Sequence, residues 1–122
     1  MFVVGTETDH VAPWKSVYKA RGLTRSSDYT FLLTSGGHNA GIVSGPSHPR
    51  RRYRVRTWSN ATETLAPHAW LESTETQAGS WWPVWDRWLA QHSSETRVPP
   101  PALGSSAYRP LTDAPGEYVL QK

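Results

Sequence analysis

Two side chains in this sequence have the types and placement to do acid–base chemistry. Asp9 lies in Gly5-Thr6-Glu7-Thr8-Asp9-His10-Val11-Ala12-Pro13-Trp14, and His38 in Thr34-Ser35-Gly36-Gly37-His38-Asn39-Ala40-Gly41. An imidazole takes a proton from a nucleophile near neutral pH, and a carboxylate fixes its tautomer or serves as a second base. The pair has the form of the last two members of a catalytic triad. The first member is missing, and the 122 residues include no cysteine.

Each of these residues has a plainer alternative. An acidic residue shortly before a Pro-initiated helix is a ready cap, and a histidine in a Gly-rich loop is often a turn residue. His10 reads as a structural neighbour of the site, since adjacent loop residues point differently. Gly36, Gly37 and Gly41 are expected to take φ > 0 and bring the imidazole close to its target. A metal site built from Asp9, His10, His38 and His48 matches no recognised ligand spacing, and neither metal nor cofactor is expected.

The elements that must position the pair are short. Phe2-Val3-Val4 is an apolar run beginning at the start of the chain, which suggests a truncated reading frame. Pro13 suits a first helical position, and Trp14, Val17, Tyr18 and Arg21 follow at helical spacing, so residues 13–21 read as a helix closed by Gly22. Tyr29-Thr30-Phe31-Leu32-Leu33 is nearly continuously apolar, as in a parallel strand covered on both faces. Residues 2–33 thus form a βαβ crossover, and Asp9 and His38 fall at strand carboxyl ends, where α/β sheets gather their ligands.

Further on, Tyr53, Val55 and Thr57 alternate with Arg52, Arg54 and Arg56, the pattern of an extra edge strand with its charges outward. The run Arg50 to Arg56 reads first as a solvated face, with phosphate or nucleic-acid binding the weaker alternative. Pro67 opens a helix over 67–73. Ser80 can cap another that runs to about His92, with Trp81, Trp85, Trp88 and Leu89 on one side and Trp82 adjoining. Such a stripe is a core-packing face first, and a granule- or partner-binding face if its cover is absent. From Ser93 periodicity stops. Pro99-Pro100-Pro101 favours an extended tail, anchored by Tyr108, Leu111, Tyr118 and Leu120, and Pro115-Gly116 suits the centre of a type II turn. Residues 1–92 therefore read as part of an α/β domain and 93–122 as its tail.

No apolar stretch approaches the roughly 20 residues of a membrane helix, and the first five residues do not make a signal peptide, so a cytoplasmic setting is expected. Asn60-Ala61-Thr62 matches a glycosylation acceptor and is discounted for the same reason.

The wording around these residues is more specific than their types. Asp9-His10-Val11-Ala12-Pro13-Trp14, Ser35-Gly36-Gly37-His38-Asn39-Ala40-Gly41-Ile42-Val43, Gly79-Ser80-Trp81-Trp82-Pro83-Val84-Trp85 and Ala114-Pro115-Gly116-Glu117-Tyr118-Val119 resemble the polyhydroxyalkanoate synthases, in order and at similar spacing. The resemblance implies the C-terminal part of an α/β-hydrolase fold. It also implies an acyltransferase that polymerises (R)-3-hydroxyacyl-CoA into a storage polyester with release of CoA. Asp9 and His38 then correspond to the catalytic acid and base, with His10, Gly36, Gly37, Asn39 and Gly41 shaping the loops around them. The family's Gly-x-Cys-x-Gly nucleophile motif belongs upstream of Phe2, so the chain alone is expected to be inactive. A homodimeric, granule-associated parent is implied. The alternatives from other classes are a stand-alone granule- or synthase-binding module and, more weakly, a nucleic-acid binder.

Overall fold

The computed structural model describes residues 1–59 and 65–122, so the sequon at Asn60 falls outside the described residues. Four strands form one mixed sheet in the order β1-β2-β3-β4: β1 (Phe2–Thr6), β2 (Tyr29–Thr34), β3 (Arg52–Trp58) and β4 (Gln77–Ala78). β1 and β2 are parallel, with Phe2 opposite Thr30 and Thr6 opposite Thr34, and β1 forms the outer edge of the sheet. β3 runs antiparallel to β2, from Tyr29 opposite Trp58 to Thr34 opposite Tyr53. The sheet with its helices is consistent with an α/β fold.

All six residues of β2 are buried, as its continuous apolar run requires. Successive side chains alternate between faces. Tyr29, Phe31 and Leu33 join Tyr18, Trp58 and Trp70 in one core, and Leu32 joins Tyr53 and Trp81 in the other. The first core is aromatic throughout: Tyr18 meets Phe31 edge-on at 5.0 Å between centroids, and Phe31 meets Trp70 at 4.9 Å.

The crossover between β1 and β2 is not the single expected helix. It is two short ones, α1 (Trp14–Tyr18) and α2 (Ala20–Leu23), with Gly22 inside the second rather than closing the first. Pro13 stands just before α1 in extended conformation (ψ 128°), and its carbonyl accepts the Ser16 and Val17 amides. α3 (Pro67–Ser73) has the expected bounds, with Pro67 in its first turn, where no intrahelical N–H is missed.

β3 departs from the outward-charge pattern. β4 covers only its Arg52–Tyr53 end, Thr57 is exposed, and Arg54 and Arg56 are half-buried. The charges turn inward because they find partners there: Arg54 reaches Glu7 and the Thr74 carbonyl, and the Arg56 guanidinium lies 6.0 Å from the Trp58 ring.

The tryptophan helix α4 spans Trp82–Gln91, and the Ser80 hydroxyl accepts the Trp82 amide at 3.1 Å. Its apolar stripe is divided. Trp81 is buried and stacks on Phe2 at 6.4 Å, and Trp88 also meets Phe2, at 5.6 Å. Trp85 and Leu89 instead remain 39% and 38% exposed. With Pro46, Trp82, Pro83 and Asp86 they line an open apolar groove of about 360 Å³.

The tail is extended as expected, but its anchors do not dock. Tyr108 and Leu111 are 82% and 93% exposed, and Tyr118 and Leu120 are equally solvated within a single 3-10 turn. Near the end of the tail the Gly116 amide donates to the Asp113 carbonyl at 2.9 Å across a cis Ala114–Pro115 bond, and Gly116 has φ +76°, the left-handed conformation expected of it. Among the described residues no helix is long and apolar enough to cross a membrane.

Candidate active site

Parallel pairing in register places the ends of β1 and β2 side by side, and the loops leaving them run together. The Glu7 amide donates to the Thr34 carbonyl at 2.9 Å, and the Thr8 amide to the Gly36 carbonyl at 3.1 Å. Asp9 and His38, 29 residues apart in sequence, thereby meet: His38 Nδ1 lies 2.9 Å from Asp9 Oδ2.

Asp9 is fixed on both oxygens. Oδ1 accepts the amides of Val11 (2.9 Å) and Ala12 (2.8 Å), while Oδ2 accepts the Thr6 hydroxyl at 3.3 Å and faces His38. The carboxylate therefore closes its own turn and does not cap α1 directly. The Ala12 amide and then the His38 contact hold its carboxyl far below the usual carboxylate range, with Val11 adding to them. An ionised carboxylate only accepts hydrogen bonds, so Nδ1 donates to Asp9. The neutral imidazole then carries its acceptor lone pair on Nε2. The Asp9 side chain is 7% exposed and that of His38 49%, so a buried carboxylate holds an imidazole that solvent reaches. This geometry suits proton abstraction by Nε2.

The other expected site residues divide. Gly36 has φ +107°, as expected, but Gly37 and Gly41 have no positive φ. Gly41 is required by space instead: a Cβ there would lie 2.6 Å from Thr6 Cγ2 and 3.0 Å from the Gly37 carbonyl oxygen. Asn39 shapes the loop through its backbone, its carbonyl accepting the Ile42 (3.1 Å) and Val43 (2.9 Å) amides. His10 is exposed and makes no hydrogen bond to the pair. No cluster able to hold a metal ion occurs among the described residues.

Several residues that hold the site have no signature in the sequence. Glu7, two positions before Asp9, is bridged by Arg52 at 2.7 Å and Arg54 at 3.3 Å, which ties the acid's loop to β3. The loop after His38 is held from the start of α4 and the two residues before it: the Trp81 indole N–H donates to the Gly41 carbonyl (3.0 Å), the Trp82 indole to the Ile42 carbonyl (2.8 Å) and the Ser80 hydroxyl to the Ser44 carbonyl (2.5 Å). Arg51 binds the same loop through its guanidinium. Much of the arginine run is therefore structural rather than a solvated face. The Gly79–Trp82 wording and the His38 wording, some 40 positions apart, are two halves of one assembly. The available signal was that both are motif-dense; nothing in their spacing states that they touch.

No family model matches the chain. The chain is 36% identical over 99% of its length to poly(3-hydroxyalkanoate) polymerase 2 of Ectopseudomonas oleovorans, covering 21% of that protein. It is 33% identical, again over 99% of its length, to the poly(3-hydroxyalkanoate) polymerase subunit PhaC of Cupriavidus necator, covering 20% of it. To the poly(3-hydroxyalkanoate) polymerase of Methylorubrum extorquens it is 34% identical over its full length, covering 19%. The chain thus spans about a fifth of the length of the curated relatives it matches, at their C-terminal end.

Proposed function

Because this chain is homologous over essentially its whole length to the C-terminal fifth of poly(3-hydroxyalkanoate) polymerases, we propose that it supplies the base and the orienting acid of a Cys-His-Asp acyl-transfer site on an α/β-hydrolase fold. The observation that carries this reading is the 2.9 Å contact of Asp9 and His38 at adjacent parallel strand ends. His38 Nε2 takes the proton of a cysteine thiol, and the thiolate attacks the thioester carbonyl of an (R)-3-hydroxyacyl-CoA. The C–S bond to CoA breaks, and the leaving CoA thiolate takes the proton back from the imidazolium. Asp9 keeps Nδ1–H directed and stabilises the imidazolium. In the second half-reaction the same base takes the proton of a hydroxyl whose oxygen attacks the enzyme-bound thioester; the acyl C–S bond breaks, the new ester lengthens the polyester, and the released cysteine thiolate takes the proton back from the imidazolium.

The thiol must come from another segment, since the chain has none. The chain alone is expected to release no more CoA from hydroxybutyryl-CoA than its His38→Ala variant. The decisive experiment is a chimera in which these 122 residues replace the C-terminal fifth of the Ectopseudomonas oleovorans polymerase. It should release CoA and form polymer, and His38→Ala should lower the rate by about 10²–10⁴-fold. A folded chimera without activity, or an active His38→Ala chimera, overturns the proposal.

A second reading has one observation in its favour. The groove beside Trp85 and Leu89 offers an apolar surface for a polyester granule or a partner synthase. Co-sedimentation of the chain with granules, abolished by Trp85→Ser, would support it.

A further inference from the structure

We propose that Arg51 is the positioning residue of His38. The loop Gly37–Ser44 has backbone bonds of its own, from the Gly41 amide to the Gly37 carbonyl and from the Val43 amide to the Asn39 carbonyl, each 2.9 Å. These close the loop on itself without tying it to the sheet. Arg51 makes that tie. Its Nη2 donates to the Ala40 carbonyl at 2.7 Å, its Nε to the Ser44 hydroxyl at 2.7 Å and its Nη1 to the Ser35 carbonyl at 3.4 Å. The Ser44 hydroxyl in turn donates to the same Ala40 carbonyl at 2.6 Å. One planar group thus joins the loop's entry, middle and exit, with His38 between the first two. A guanidinium presents these donors in a fixed fork, whereas an ammonium is a compact point charge that cannot span all three sites.

Two further features show that the arrangement is built around this side chain. A Cβ at Gly36 would stand 2.6 Å from Arg51 Nη1, so the glycine two positions before His38 leaves the space the guanidinium occupies. The Arg51 backbone is itself fixed. The Gly79 amide donates to the Arg51 carbonyl, and next to it Arg52 exchanges bonds with Ser35, whose amide donates to the Arg52 carbonyl at 2.9 Å. Arg51 is therefore a rigid post at the entrance to β3 against which the His38 loop is set.

The functional weight of this inference rests on the reading of His38 as a base, but its test does not. Imidazole nitrogen and proton NMR on the full 122-residue chain reads the Nδ1–H resonance of His38, identified by its loss in Asp9→Asn. In Arg51→Met that resonance should be lost and the imidazole should become a mixture of both tautomers, while circular dichroism remains native. Arg51→Lys should give the same loss despite its retained charge, and the exposed neighbour variant Arg50→Met should leave the signal unchanged. A folded Arg51→Met or Arg51→Lys chain that keeps the Nδ1–H resonance and a single tautomer overturns the inference. If Arg51→Met does not fold, Ser44→Ala, which removes one hydroxyl from the same network, decides: retention of the signal overturns the proposal and its loss supports it. Because the readout is a hydrogen bond and not turnover, an inactive chimera leaves this result standing, and an unchanged resonance leaves the acyl-transfer reading standing.

Discussion

Asp9 serves two local purposes with one carboxylate, and its acidity follows from that. Two amides and an imidazole favour its charged form, so its folded-state pKa lies below the value of about 3.9 typical of an unfolded chain. The sign of the linkage is then fixed. The contribution to stability is fully present above about pH 4 and is lost as the pH falls through the lower folded-state value. Urea denaturation between pH 7 and pH 2 should show stability declining below about pH 4, and Asp9→Asn should flatten this part of the profile. Gly41→Ala tests a different constraint. Its new methyl would press on Thr6, a hydrogen-bond partner of Asp9, and should cost about 1–3 kcal/mol in the same assay. Asp9 and His38 were legible in the sequence because both the chemistry and the strand-end position are local properties. Glu7, Arg51 and the two indoles were not, because a donor's target depends on which distant carbonyl the fold brings to it.

The elements show the same division. Pro67 announces α3, and the unbroken apolar run announces β2, because each signal lies within the segment it describes. The break between α1 and α2 and the two-residue β4 carry no such signal; β4 exists because β3 offers its Arg52–Tyr53 end for pairing. The split of the α4 stripe is likewise a tertiary outcome, decided by Phe2, which takes Trp81 and Trp88 and leaves Trp85 outside. That distinction has a measurable size. Trp70 is fully buried among Trp14, Tyr18 and Phe31, so Trp70→Ala should cost about 3–5 kcal/mol. The half-exposed Trp85 should cost far less when changed to Ala, and equilibrium denaturation of the two variants side by side checks the contrast.

For the molecule as a whole, stability resides in the sheet and its two aromatic cores, and the tail adds little to it. Deleting residues 93–122 should change stability by no more than about 0.5 kcal/mol, since surface segments without buried contacts lie within that range. Amide exchange should show β2, flanked on both sides, as the slowest segment and the tail as unprotected. The outer strand β1 then has a consequence for handling the protein in solution. Among the described residues no strand pairs with its outer side, which presents a row of backbone donors and acceptors over Phe-Val-Val-Gly-Thr, a stretch with neither a charge nor a proline to blunt it. Two molecules can complete each other's sheet along that line. Light scattering should therefore rise with protein concentration rather than with time alone, and adding a short peptide of alternating β-branched residues should suppress it by occupying the row first.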